Sequence, residues 1–414
     1  MAHLLIIELP GGNDTDIVQA ALDGGDTVTF LTANLSSYQV QSEVWAVLGK
    51  AARHVELPAD KWANVVPLAL QWHQAHRIDA VLCLLDIRLV EAARIAASLG
   101  LRFLNPDSAQ CLRNKFQVRQ RLQQSGIAQP DFRLATSNDA LKRAVDELGL
   151  PVLIKPTDGY GSINVMALSH PDDLHPLWRP LDDMLPSRTD YGLGVMANEQ
   201  ILIERLMVGQ VIGCDTFTHA GQHTLLGVND KVFFDPPSFA IKGGCFKPHD
   251  GAASEIQGYV FDVLDAVGFD WGAAHVELMM TVEGPRLIEV NARLVGAKLP
   301  RLISLALSRS IHRDLIALHL GRWRPDGQIH ADVAATRWLV ASGHGQLADI
   351  TVPETANNPH VRMVDILKRR GDWVRAPLEN ADRIGYVMTT AATQAEAEQA
   401  ADDFVARSQV QLTN

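Results

Sequence analysis

Glu277, Glu289 and Asn291 are the residues whose types and spacing point most directly to chemistry. They lie in two strand-forming runs, Ala274-His275-Val276-Glu277-Leu278-Met279-Met280 and Arg286-Leu287-Ile288-Glu289-Val290-Asn291-Ala292-Arg293, with a turn signal at Glu283-Gly284-Pro285 between them. That pattern predicts a β-hairpin. Side chains alternate across a strand, so Glu289 and Asn291 share a face. A connection of odd length, such as Val282-Glu283-Gly284, sets Glu277 directly opposite Glu289. Two like charges in that position repel each other. A cation between them removes the repulsion, and oxygen donors of this kind suit Mg²⁺ held jointly with substrate phosphates.

A second set of residues suits the phosphates. Lys155 closes the apolar run Pro151-Val152-Leu153-Ile154 and precedes the loop Thr157-Asp158-Gly159-Tyr160-Gly161-Ser162. Two glycines let a backbone fold over an anion and aim N–H groups at it, and the lysine adds a point charge. The lysine precedes the glycines, so this is not a P-loop. Taken alone, the motif also fits a strand end with a glycine turn. Lys115 lies in a helical run, and Glu204-Arg205-Leu206-Met207 ends a strand before Gly209.

The elements around these groups alternate. Strand signals at 3–8, 27–31 and 80–84 are interleaved with helical segments at 15–22, 61–75 and 91–99, which implies a parallel sheet. Asn105-Pro106 marks a boundary. Residues 108–124 read as one helix carrying Asn114, Lys115 and Arg119, and 139–148 as another. Strands follow at 151–156, 163–168 and 201–204, and a strand pair at 211–219 and 223–228. Residues 170–198 read as loop or short helices. Residues 235–251 contain Pro236-Pro237, Gly243-Gly244 and Pro248 and predict a long loop, of the kind that often covers an active site. A helix at 254–267 precedes the hairpin. A helix with apolar residues at Leu302, Leu305, Ile311 and Leu315 follows it. Residues 331–414 read as a small α/β subdomain, with strands near 334–340, 361–366 and 384–389 and a closing helix at 394–406.

A chain of 414 residues suggests two or three domains. Its net charge of −11 argues against a nucleic-acid partner, which needs a basic surface. The start of the chain lacks a basic n-region, and no run is apolar and long enough to span a membrane. Cys83, Cys111, Cys214 and Cys245 show no C-x-x-C spacing, so a zinc site or disulfide framework is not expected and a cytoplasmic location is.

In order along the chain come a helix lysine, a strand lysine with a glycine loop, a strand-to-glycine hinge and an E…E-x-N hairpin. This order resembles the ATP-grasp superfamily. The resemblance implies an ATP-grasp fold with an N-terminal Rossmann-like parallel-sheet domain (1–105), a two-lobed ATP-grasp domain (106–330, small lobe about 151–230) and the C-terminal subdomain (331–414). It implies ATP as cofactor, with Lys115 and Lys155 on the phosphates and Gly159, Tyr160, Gly161 and Ser162 covering them. Glu204 and the backbone of Leu206 and Met207 would meet the adenine. Glu277, Glu289 and Asn291 would hold Mg²⁺ (or Mn²⁺), and Arg293 would stabilise the oxyanion of the reacting carboxylate. Many members have an acidic residue for ribose where this chain has Val211, which passes that contact to Asp215 or another residue.

Within the superfamily, Glu289-Val290-Asn291-Ala292-Arg293, Gly343-His344-Gly345, Lys368-Arg369-Arg370-Gly371-Asp372 and Asp382-Arg383-Ile384-Gly385-Tyr386-Val387 resemble the L-amino-acid ligase (carboxylate–amine ligase) branch. That resemblance implies amide-bond formation through an acyl phosphate. A small-molecule carboxylate and an amine would be the substrates, one of them an amino acid, in peptide or siderophore-type secondary metabolism. A homodimer is the family's prior for assembly. The segment Asp235-Pro236-Pro237-Ser238-Phe239 and Lys242-Gly243-Gly244 are the candidates for substrate selection. The alternatives are an ATP-grasp carboxylase or kinase-like phosphoryl transferase, and a non-enzymatic nucleotide-binding protein.

Overall fold

The computed structural model describes residues 1–159, 165–170, 200–235, 240–251, 254–325, 332–355, 358–378 and 380–413. The N-terminal segment forms a four-stranded, all-parallel sheet in the order Arg53–Glu56, Thr27–Thr32, His3–Ile7, Ala80–Cys83. Leu4 to Ile7 and Ala80 to Leu82 are fully buried, as expected of apolar runs covered on both faces by the helices Asp16–Asp23, Val65–Ala75 and Leu89–Ser98. The strand order reverses between His3–Ile7 and Ala80–Cys83, which opens a crevice beyond their carboxyl ends. Asp14, Asp16 and Asp86 leave that end and pair with Lys298 (3.2 Å), Arg301 (2.6 Å) and Arg293 (2.7 Å), so the first sheet is fastened to the segment after the hairpin.

A small antiparallel sheet follows, ordered Phe132–Ala135, Ile201–Arg205, Val152–Pro156, Met166–Leu168, with the helix Asn138–Leu148 packed on Ala135, Val152, Ile154 and Ile203. This sheet begins before residue 151. The strands Gln210–His219 and Gln222–Asp230, which the sequence assigns to the small lobe, lie instead in a nine-stranded sheet. That sheet runs Gly284–Asn291, Trp271–Thr281, Gln210–His219, Gln222–Asp230, Ile241–Pro248, Val333–Leu339, Gly385–Ala391, Val361–Ile366, with Val232–Phe233 added against Ile241–Pro248. The expected C-terminal strands are therefore present and extend the large sheet. The helix Gln394–Arg407 packs on them through Ala397, Ala401 and Phe404. A three-stranded sheet of Trp373–Val374, Gly345–Thr351 and Gln409–Thr413 was not expected.

Three segments correct the sequence reading. The long loop at 235–251 is in large part the strand Ile241–Pro248, inside the sheet. Its glycines serve close backbone approach, not a turn. A Cβ at Gly243 would lie 2.2 Å from the Thr336 carbonyl oxygen, and one at Gly244 2.4 Å from that of Asp230. Gly243→Ala is expected to lower stability by about 1–3 kcal/mol, because backbone must move to admit the methyl group. A urea titration of both proteins measures the difference. The single helix at 108–124 is two, Pro106–Leu112 and Lys115–Gln124. Asn114 breaks it by capping the second helix, its Oδ1 accepting from Phe116 N at 3.0 Å and Gln117 N at 3.2 Å. The helix after the hairpin also divides, into Leu299–Ala306 and Ile311–His319, with Ser310 as the second cap. Among the described residues no helix is long and apolar enough to cross a membrane.

Candidate active site

The hairpin consists of Trp271–Thr281 and Gly284–Asn291, and Glu277 stands opposite Glu289 as the alternation predicts. The means differ. The connection is the two residues Val282 and Glu283. The register runs regularly from Thr281–Gly284 to Leu278–Leu287, then shifts so that Glu277 meets Glu289. Ile288 is thus the extra residue of a β-bulge, a device that re-aims a side chain. The bulge is anchored from behind. Arg119 Nη2 donates to Leu287 O (2.7 Å) and Ile288 O (3.4 Å), and Lys155 Nζ reaches Ile288 O at 3.5 Å.

Each of the facing carboxylates has its own cation. Lys231 Nζ lies 2.8 Å from Glu277 Oε1, and Lys115 Nζ 3.5 Å from Glu289 Oε2. Glu289 also accepts from Asn291 Nδ2 at 3.2 Å. Arg293 donates through Nε to Asp86 Oδ2 at 2.7 Å and through Nη2 to Asn291 Oδ1 at 3.3 Å. His275, two residues before Glu277 on the same face, sets Nδ1 3.0 Å from Asp215 Oδ1 and Nε2 3.4 Å from Glu277 Oε1. Burial alone would lower the imidazole, but the Asp215 carboxylate and then Glu277 outweigh it and push it up to about 9, so the ring is cationic at neutral pH. Burial likewise works against ionised Glu277, but His275 and Lys231 hold its carboxyl well below the usual carboxylate range. Glu277 is thus held ionised by the cations beside it.

Behind the hairpin, Glu204 is buried between Lys155, 2.6 Å from Oε2, and Arg119, 2.5 Å from Oε1. Lys155 is 4% exposed and Glu204 1%. Lys115 is more open, its ammonium donating to Gly159 O at 2.5 Å, and its backbone N–H donates to Thr157 O at 2.7 Å. A narrow gap is lined by Lys115, Arg119, Gly159, Leu287, Glu289 and Asn291. A larger cavity of about 370 Å³ shares Glu289 and Asn291 with it and also takes in Glu277, Arg293, Lys231 and His275. The paired glutamates therefore sit at the junction of a gap facing the small sheet and a chamber walled by the large one.

Most expected site residues converge on this junction, with exceptions. Tyr160, Gly161, Ser162 and residues 236–239 lie outside the described residues. Leu206 and Met207 are half-buried at the end of the small sheet, and the Leu206 N–H is already donated to Pro151 O at 3.0 Å. Asp215, offered for ribose, is buried and engaged by His275 and by Asn229 Nδ2, so it is not free to take a sugar. Gly243 and Gly244 line the cavity, but Lys242 just before them is exposed and does not. Sequence reasoning gave no role to Asp86, Arg119, Lys231, His275 or Arg383. Only His275 carried a local signal, sharing the strand alternation of Glu277. All four cysteines are buried free thiols, Cys245 within the strand Ile241–Pro248, where burial and then Asp230 push it up to about 12.

Lys155 and Gly159 at one end of a small antiparallel sheet, near a carboxylate hairpin on a large one, are the arrangement expected of an ATP-grasp protein. The chain matches the ATP-grasp domain family over residues 148–300 and the L-amino acid ligase C-terminal domain 2 over residues 337–413. It carries an ATP-grasp domain and, after it, the C-terminal domain 2 of L-amino acid ligases. It is 24% identical over 241 residues to dapdiamide A synthase of Enterobacter agglomerans, a match covering 57% of this chain and 55% of that one. It is 21% identical over 321 residues to an L-arginine-specific L-amino acid ligase of Bacillus subtilis, covering 75% and 73%. The chain thus spans little more than half the length of the first of these relatives. In fold it matches the L-amino acid ligase of Bacillus licheniformis with a TM-score of 0.79, at 20% identity, over 100% of this chain and 99% of that one.

Proposed function

We propose that the protein is an ATP-dependent carboxylate–amine ligase that forms an amide bond through an acyl phosphate, with an amino acid as one substrate. The observation that carries this reading is the pair Glu277 and Glu289, facing each other with Lys231, Lys115 and Arg293 at the junction of gap and cavity. A carboxylate oxygen attacks the γ-phosphorus, ADP leaves, the amine nitrogen attacks the acyl carbon, and phosphate leaves as the amine loses a proton. The first step brings two anions together, so its barrier is electrostatic. Lys115 and the Gly159 loop supply positive charge and N–H groups on the phosphate side. Arg293, held by Asp86, is fixed where it meets the developing acyl oxyanion from the cavity side. Lys155 supports the phosphate side from its buried place beside Glu204.

The hairpin fits a divalent metal. Two carboxylates and an amide oxygen are hard donors, and among the described residues no group of three or more His, Cys, Asp or Glu forms an all-protein cage. Mg²⁺ binds in this way, sharing its shell with nucleotide phosphates. Bound by Glu277, Glu289 and Asn291, it would neutralise charge between the transferring phosphate oxygens. Four reduced, buried cysteines support a cytoplasmic site of action.

The test is ADP and phosphate release from Mg·ATP with a panel of acids and amines, alone and in pairs. ADP formation that requires both an acid and an amine is the expected result. Acid-dependent ADP release with no amide product from any amine would replace the ligase with a phosphoryl transferase.

A further inference from the structure

Arg383 is buried in the wall of the 370 Å³ cavity, 9% exposed, just before the strand Gly385–Ala391. Its guanidinium lies over the Trp338 ring, 4.0 Å from the centroid, which fixes the plane. Nη2 donates to two neutral acceptors, Ile241 O at 3.2 Å and Asn380 Oδ1 at 2.6 Å. Among the described residues Nε has no partner and no carboxylate offsets the charge. The other cavity cations differ in this respect: Lys231 is paired with Glu277 and Arg293 with Asp86. Burial alone pulls the Arg383 guanidinium down to about 10, so it stays charged at neutral pH with no counter-ion among the described residues. Burying a charge in that way is costly unless something completes it. Val295, Leu299 and Leu302 add an apolar wall to the same chamber.

We infer that Arg383 is the specificity-determining cation for a substrate carboxylate that does not react, held by the guanidinium's charge and its N–H groups not already donated to Ile241 and Asn380 while the hydrocarbon part lies on the apolar wall. A hydrogen bond from a charged donor to a carboxylate is stronger than one between neutral groups, and the Trp338 ring keeps the guanidinium plane fixed for it. This assignment rests on the ligase reading and narrows it, since at least one substrate then carries an anionic group besides the reacting one. That group is either the α-carboxylate of an amino-acid acceptor or the second carboxylate of a dicarboxylic donor. It also gives the C-terminal segment a place in the site, through Thr336, Trp338, Asn380 and Arg383.

The experiment compares wild type with Arg383→Met and Arg383→Lys in the presence of Mg·ADP. Calorimetry measures binding of L-amino acids against their carboxamides, and of dicarboxylic acids against their monoamides. The same pairs are then run in the ADP-release assay. Arg383→Met is expected to weaken the carboxylate ligand by about 10- to 100-fold, to leave the amide unchanged and to raise KM with kcat and the KM for ATP held. Arg383→Lys should restore part of the loss. Discrimination confined to amino acids identifies the acceptor, and discrimination confined to diacids identifies the donor. Equal carboxylate binding by wild type and Arg383→Met, or no carboxylate binding by wild type, overturns the inference. A fall in melting temperature of Arg383→Met, in place of an unchanged or raised one, with discrimination intact would also overturn it and make the residue structural. Retained carboxylate binding without amide formation would sink the ligase reading alone.

Discussion

Glu289→Gln is expected to lower kcat for ADP release by at least about 10²–10³-fold while the protein stays folded, the scale set by loss of one preorganised electrostatic group. Glu289 lines both the gap and the cavity, so its charge acts where phosphate and acyl group would meet. It is also only part-buried, with a side chain 26% exposed, and its partner Lys115 is 19% exposed. Removing that charge therefore does not strand a deeply buried ion, and the melting temperature should hold. Glutamine keeps the shape and the acceptor oxygen, and it keeps the contact with Asn291. The substitution tests charge at one position, not packing. Steady-state kinetics at saturating Mg·ATP, with ATP affinity measured separately, give the answer. Turnover at the wild-type rate would remove Glu289 from the metal and phosphate site.

The hairpin was legible because its signal is local. Alternation and a turn place Glu277, Glu289 and Asn291 on one face whatever lies elsewhere in the chain. Even so, parity was reached by the Ile288 bulge and not by loop length, and nothing in the run of residues marks which device a hairpin uses. Three strands of the parallel N-terminal sheet were legible for a similar reason, since they are continuous apolar runs separated by helices, while the edge strand Arg53–Glu56, which is mostly polar, was missed. The illegible parts depend on distant partners. Gly243-Gly244 has the composition of a loop, and only the strands Val333–Leu339 and Gln222–Asp230 show why side chains are excluded there. Asp86 and Arg293 are 207 residues apart, so their pairing follows from docking of the first sheet on the hairpin segment. Lys242, offered with Gly243-Gly244 for substrate selection, lies between the cavity-lining Ile241 and Gly243. Strand alternation turns it outward and leaves Arg383, from a segment 142 residues after Ile241, to reach the same chamber. Lys155 was recognised by its glycine loop, but its partner Glu204 comes from the adjacent strand and Arg119 from a helix, and together they make a buried triad.

That triad sets the largest expected effect on stability. Glu204→Gln leaves Arg119 and Lys155, both nearly inaccessible, without a counter-ion, and removing one member of a buried ion pair typically costs about 3–5 kcal/mol. Urea unfolding at neutral pH should show a loss of that order. The pH dependence separates this cause from simple misfit. Burial opposes ionisation of Glu204, but Arg119 and Lys155 outweigh it and hold the carboxyl at about 2, below the ordinary 4.5. A carboxylate depressed in the fold adds stability that is complete above pH 4.5 and is lost as the pH falls from 4.5 towards 2, about 3 kcal/mol over the full window. Glu204→Gln should lose that part of the acid sensitivity. Lys155 runs the other way. Burial lowers its ammonium despite Glu204, so the charged form is a cost to the fold, and without Glu204 the cost grows. The variant should therefore gain stability as the pH rises and Lys155 gives up its proton, a slope that wild type shows more weakly. Adding Lys155→Met to Glu204→Gln removes one of the two stranded cations and should recover part of the loss, giving a coupling energy well above that of independent sites. Additive losses in that cycle would mean that the two residues stabilise the fold separately and that the triad is not an electrostatic unit.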